Sequence, residues 1–238
     1  MKRSTAGLIA IGIAAIALLV AFQFIGEPQV SSNEGSSSAL PPAPQPSTTT
    51  QAAPAGGTGV LRFVIVPEDS TVTYRVAETF FREGNRLSTA VGVTKVVRGE
   101  IRVNRADPRQ STIGPITVDI GQFRSDSERR DNAIRGRWLE SARFPTAKFT
   151  ATTIRGLPST YRDGQELRLQ ISGSLKIRDV VRPVIFDAAM KVTGNTLAGT
   201  AKTAVKMTDF GFDPPSILGI LRAENDVAIE FAIIARAE

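Results

Sequence analysis

From Leu167 to Val192 the chain alternates between apolar and polar positions with a period of two. Leu167, Leu169, Ile171, Leu175 and Ile177 share one parity, while Arg168, Gln170, Ser172, Ser174 and Lys176 share the other. That is the signature of a strand with one dry and one wet face. After a charged corner at Arg178 and Asp179 and then Pro183, a second run puts Val184, Phe186, Ala188, Met190 and Val192 on one face, opposite Asp187 and Lys191. The two runs predict an antiparallel hairpin. Pro183 has no amide donor and is expected at the start of its strand. The same alternation recurs at Val72, Tyr74 and Val76; at Val97, Gly99, Ile101 and Val103; and at Ile116, Val118 and Ile120. Ala201 to Met207 and Val227 to Ile233 repeat it, with turn signals such as "NRADPRQ", "RDGQ" and "TGN" between the runs. Short strands without long intervening helices predict an all-β, antiparallel sandwich or barrel.

One segment, "SDSERRDNAIRGRWLESARFPTAKF", departs from this rhythm. Ser125 and Glu128 have capping-box spacing, and Ile134 precedes Trp138 and Leu139 at distances that let a short helix pack one apolar edge. The segment is either a helical insert over a barrel opening or a crossover loop with a packed Trp138.

The N-terminus is of another kind. Lys2 and Arg3 precede an uncharged apolar run from Ala6 to Phe22, continuing to Gly26. At 1.5 Å per residue, about twenty such residues cross a ~30 Å hydrocarbon layer, so residues 1–26 read as an N-terminal membrane anchor or, if cleaved, a signal segment. Residues 27–59, dense in Pro, Ser, Thr and Gly, read as a disordered linker. Residues 60–238 read as the folded domain. The expected placement is membrane-anchored with an extracytoplasmic domain, or secreted if the leader is removed.

Composition narrows the chemistry. The chain has no Cys and no His, so the usual thiolate, general base and metal ligands are missing. No catalytic residue and no metal site is assigned. "DFG" at Asp209–Gly211 lacks the rest of a kinase signature and reads as a strand-end turn. The net charge of +6 is carried by the folded part and suits anionic head groups or wall polymers. Nucleic acid is excluded as a partner by the 6% aromatic content and the absence of basic strands interleaved with stacking residues.

Several motifs together resemble the YceI-like family of polyisoprenoid-binding, lipocalin-like proteins. They are "STVTYRV", "RGEIRVNRADPRQST", "TVDIGQFRSDSERRDNAIRGRWLESARFPTAKFTAT", "GSLKIRDVVRPVIFDA", "MTDFGF" and "ENDVAIEF", in order across nearly all of residues 60–238. The resemblance implies an antiparallel lipocalin-like barrel of about eight strands with a short helical insert, enclosing an apolar pocket. Parity and family position put Val72, Tyr74, Ile116, Val118, Trp138, Phe149, Leu169, Ile171, Leu175, Phe186 and Phe212 in its lining, with Arg130 and Arg178 at the head-group or mouth end. The family's usual histidine positions are occupied here by Asp69, Glu78, Ala133 and Arg178.

The implied function is extracytoplasmic binding of a long-chain lipid, a polyisoprenoid or isoprenoid quinone, for storage, shielding or transport. No cofactor is expected beyond that lipid as ligand. The implied partners are the lipid or quinone and the membrane through the N-terminal helix, with a homodimer permitted. Alternation alone does not separate a cavity from a side-chain-filled interior. A filled β-barrel acting as a cell-surface adhesion module is the alternative, followed by a carboxylate-based hydrolase.

Overall fold

The alternating runs become strands of a single antiparallel sheet. The computed structural model describes residues 59–217 and 219–238. In chain order the strands are β1 (Val60–Ile65), β2 (Thr71–Phe80), β3 (Arg86–Thr94), β4 (Val97–Arg98), β5 (Glu100–Asn104), β6 (Thr112–Ile113) and β7 (Ile116–Asp119). Helix α1 (Glu128–Ala133) follows and runs into a π-type turn, Ile134–Trp138. The remaining strands are β8 (Thr146–Arg155), β9 (Glu166–Ile177), β10 (Val180–Thr193), β11 (Thr196–Lys206), β12 (Ser216–Ile217) and β13 (Leu221–Ala237).

The spatial order is β4-β7-β8-β9-β10-β11-β13-β1-β5-β6. The 17-residue β13 is where the sheet forks. Its C-terminal end pairs with β1 (Phe63 opposite Ala237), and its earlier part pairs with β2 (Phe231 opposite Val72).

Two expectations need correction. The strands do not close into a lipocalin-like barrel of about eight; they form a 13-stranded, strongly curled half-barrel. Closure of a barrel requires an unbroken ladder, and the paired order here runs from β4 to β6 with no pairing between those two ends. Gly99 lies against β7: a Cβ there would stand 2.4 Å from Ile116 Cδ1. The second correction concerns the membrane-anchored localisation and the N-terminal transmembrane helix. Residues 1–26, like most of the 27–59 linker, lie outside the described residues, and no helix among the described residues is long and apolar enough to cross a membrane.

The hairpin from Leu167 to Val192 forms as β9 and β10, turning at Arg178 and Asp179, with Arg178 at φ 57°. Pro183 sits inside β10, opposite Ser174, rather than at its start. It is tolerated because the β10–β11 ladder begins only at Asp187, leaving one side of β10 free at Pro183. Gly173 in β9 is constrained more tightly. A Cβ at that position would stand 2.4 Å from the Thr150 carbonyl oxygen and 2.7 Å from the Phe149 ring. Gly173→Ala is therefore expected to destabilise the domain by about 1–3 kcal/mol through overpacking. Urea unfolding should show a lower midpoint with an unchanged slope.

One end of the curled sheet is closely packed around a small space of about 50 Å³. Phe63, Val97 and Ala235 are fully buried there, with Ile65, Ile171 and Leu197 nearly so. Towards the other end three rings follow one another edge to face: Phe149–Phe186 at 4.9 Å and Phe186–Phe231 at 5.5 Å between centroids. These rings belong to the core and also face open space.

Candidate functional site

Beyond the aromatic row the inward side chains stop meeting and enclose a cavity of about 450 Å³. Successive inward positions of β2 supply Val72, Tyr74, Val76 and Glu78, because alternate residues of a strand share a face. Facing strands contribute Ile116 and Val118 from β7, Phe149 from β8, Leu175 and Ile177 from β9, Phe186 from β10, and Val227, Ile229 and Phe231 from β13. Met207 and Phe210 enter from the turn after β11, where Gly211 at φ 77° ends the turn in the left-handed region. The helical insert supplies Ala133, Ile134, Trp138 and Leu139. It is thus part of the cavity wall and not a plain crossover loop.

The insert is held at both ends. At its start the cap is Ser127, whose Oγ accepts from the Arg130 amide at 3.3 Å; Ser125, the expected cap, instead donates its hydroxyl to the buried Asp131 carboxylate at 2.6 Å. At its far end Arg178 pairs with Glu140 at 2.6 Å and donates to the Trp138 carbonyl at 3.4 Å. The Trp138 indole N–H in turn donates to the Asp213 carbonyl at 3.1 Å.

The cavity has one polar edge. Arg130 donates to Glu78 at 3.2 Å, to Ser125 Oγ at 3.2 Å and to Asp126. Burial alone would lower the pKa of the guanidinium, but the Asp126 hydrogen bond and the Glu78 charge outweigh it and raise the pKa. Tyr74 lies across Gly92, its partner on β3, and packs edge to face on Phe123 at 5.2 Å. Its hydroxyl is buried without a protein partner. Burial, followed by the Asp131 charge, pushes its pKa up to about 12. Because the folded value lies above the unfolded value of about 10, the stability linked to Tyr74 is complete below pH ~10 and is lost as pH rises towards 12. Thermal melts should show an alkaline fall in that window that Tyr74→Phe removes.

Sequence comparison places this architecture. The family model described as a YceI-like domain matches residues 63–235. The chain belongs to the YceI-like family. Among curated relatives of this YceI-like chain, a "UPF0312 protein" of Pseudomonas fluorescens is 28% identical over 131 residues, covering 52% of this chain and 64% of the relative. "Protein YceI" of Salmonella arizonae is 25% identical over 126 residues, 50% of this chain and 61% of that one. The match thus spans less than two thirds of these relatives' length. Two solved structures share the fold. Burkholderia cenocepacia BcnA has a TM-score of 0.54 at 18% identity, covering 71% of this chain and 98% of its own. A polyisoprenoid binding domain from Saccharophagus degradans, described as implicated in plant cell wall breakdown, has a TM-score of 0.56 at 12% identity, covering 75% and 99%.

Within this YceI-like domain the residues expected at the site divide into two sets. Val72, Tyr74, Ile116, Val118, Trp138, Phe149, Leu175, Phe186, Phe212 and Arg130 border the cavity. Leu169 and Ile171 share the parity of Leu175 and are buried, yet they lie off the cavity in the packed core; Leu169 borders a separate space of about 50 Å³. Arg178 is absent from the lining and acts as the clamp on the insert. Sequence reasoning left Glu78, Met207, Phe210 and Ile134 out of the site. Glu78 shares the parity of Val72, Tyr74 and Val76, so the signal was there, but an acidic residue on an apolar face carries no pattern that marks it as inward. Met207 ends the alternating run from Ala201, so its parity was legible, whereas Phe210 lies further into the turn, where parity does not apply.

Proposed function

We propose that this YceI-like domain binds a long-chain lipid, a polyisoprenoid or an isoprenoid quinone, in the cavity between the sheet and the helical insert, and stores, shields or delivers it. The observation that carries the reading is the cavity itself, about 450 Å³ and walled by aliphatic and aromatic side chains from nine strands and the insert. That volume lies within the range of ligand sites, and an apolar space open to water favours an apolar occupant. The likeness to a solved polyisoprenoid binding domain supports the ligand class. Each five-carbon isoprene unit moved from water into such a space gains about 4 kcal/mol before ordering costs. Affinity then follows from buried chain length more than from any single polar contact.

The test is organic extraction and native mass spectrometry of the full chain purified without detergent. An isoprenoid or quinone at near one-to-one stoichiometry is the expected result. Protein that is empty and takes up no added isoprenoid or quinone would overturn the reading.

A further inference from the structure

The cavity opens where four strands end together. Ile217 is 48% exposed and still borders the cavity, and Arg129 is likewise an exposed residue of its wall, so the mouth adjoins β12 and the start of the insert. Cross-strand pairing sets Arg86, Phe80, Leu221 and Ile217 in one row across the ends of β3, β2, β13 and β12. The next row, on the opposite face, holds Leu87, Thr79, Arg222 and Ser216. The Phe81 amide donates to the Ile220 carbonyl at 2.9 Å and ties the β2–β3 turn to the β12–β13 turn. Paired strand ends and bonded turns make a fixed ridge, about 15 Å wide at the usual strand spacing.

The ridge presents apolar and cationic side chains together. Phe81 is 43% exposed and Leu87 79%, beside Ile217. In residues 80–87 and 216–222 the charged side chains are Arg82, Arg86, Arg222 and Glu83. Glu83 is engaged by Arg86 at 2.6 Å, and the Arg86 guanidinium also lies 4.5 Å from the centre of the Phe80 ring. Arg82, Arg222 and the neighbouring Arg129 are exposed and pair with no carboxylate among the described residues. Glu224 stands two residues further along β13, away from the turn.

We propose that this ridge docks the mouth of the cavity on an anionic lipid surface, with Phe81, Leu87 and Ile217 set among the head groups and Arg82, Arg222 and Arg129 beside the lipid phosphates. Exposed apolar residues scattered singly need no explanation, but three on one ridge at the entrance of an apolar cavity give a lipid chain a path that avoids water. Cations beside apolar tips bind an anionic interface peripherally, with no membrane-spanning helix. A protein partner or a second copy would need about 800 Å² of complementary face on each side, and a ridge of two turns is narrow for that. The purpose of the contact, loading or unloading the cavity, rests on the lipid-binding reading above; the contact itself does not.

The chain has no Cys, so one introduced thiol carries a reporter to one place. Leu87→Cys puts an environment-sensitive fluorophore on the ridge, and Asn195→Cys puts one in the β10–β11 turn at the closely packed end. Each full chain is mixed with vesicles of phosphatidylcholine alone or with phosphatidylglycerol in equal parts. The expected result is a blue shift from the ridge label and none from the other, reached at about tenfold less lipid when phosphatidylglycerol is present. The N-terminal sequence is common to both labelled chains and cannot produce a difference between them. Arg82→Glu combined with Arg222→Glu should raise the lipid required about tenfold or more. Added salt should do the same with both arginines in place, independently of how that variant folds. No shift from the ridge label, equal shifts from both labels, or a ridge shift indifferent to salt and to charge reversal overturns the docking. A ridge shift that grows with protein concentration without vesicles assigns the ridge to a second copy and overturns it too. A chain that docks yet yields no isoprenoid or quinone removes the lipid reading alone, and a loaded chain whose ridge label stays in water removes the docking alone.

Discussion

Phe186→Ala is expected to lower the unfolding free energy by about 3–5 kcal/mol, a large part of a domain's usual stability. Phe186 is 2% exposed and stands at the centre of the aromatic row, edge to face with Phe149 at 4.9 Å and with Phe231 at 5.5 Å. Truncation removes the buried area of the ring and both aromatic contacts, each worth about 0.5–1.5 kcal/mol beyond area. The neighbours have little means of closing the gap, because strands β9 and β11 flank β10 and fix its backbone. Urea unfolding measures the loss, and a double-mutant cycle with Phe149→Ala isolates the ring-ring part. A loss under about 1 kcal/mol would mean that the ring is not packed as described.

Ala90→Phe is expected to reduce lipid uptake about tenfold or more while leaving the fold in place. Ala90 lies on β3 opposite Val76, is 3% exposed, and borders the cavity. A larger side chain there extends into empty space instead of an occupied core, so the stability change should stay within the ~1–3 kcal/mol of ordinary overpacking. The measurement pairs extracted lipid per mole of protein with an unfolding curve on the same sample. Undiminished uptake with a normal unfolding curve would show that the lipid does not occupy this space. A similar loss of uptake accompanied by global unfolding would point to a packing role for Ala90 alone.

The sequence by itself determined the strands and their faces. Alternation is a local property, and the runs named from it fall in strands with the apolar side turned inward, except that Gly99 divides one run between β4 and β5 and that Ile120 and Met207 lie in the turns after their strands. The β9–β10 hairpin, its two-residue corner and the helical break before Phe144 and Pro145 follow from nearest-neighbour chemistry in the same way. The spacing and order of the motifs also determined the family.

Tertiary structure decided how those faces meet. Parity states which side of a strand a residue occupies, but not its height along the sheet or its distance from the opposite wall. Leu169, Ile171 and Leu175 share one face of β9, yet Leu175 borders the cavity while Leu169 and Ile171 lie in the packed core. The difference arises from the curl of the sheet and from registers with strands far away in sequence. The same holds for closure, where the fork at β13 and the ends β4 and β6, unpaired with each other, leave a curled half-barrel instead of a closed ring. It holds most of all for the polar edge, because Glu78 and Arg130 are 52 residues apart and meet only when the insert folds back over β2. Each is an ordinary charged residue in its own segment, and their pairing at 3.2 Å beside an apolar cavity is a property of the assembled fold.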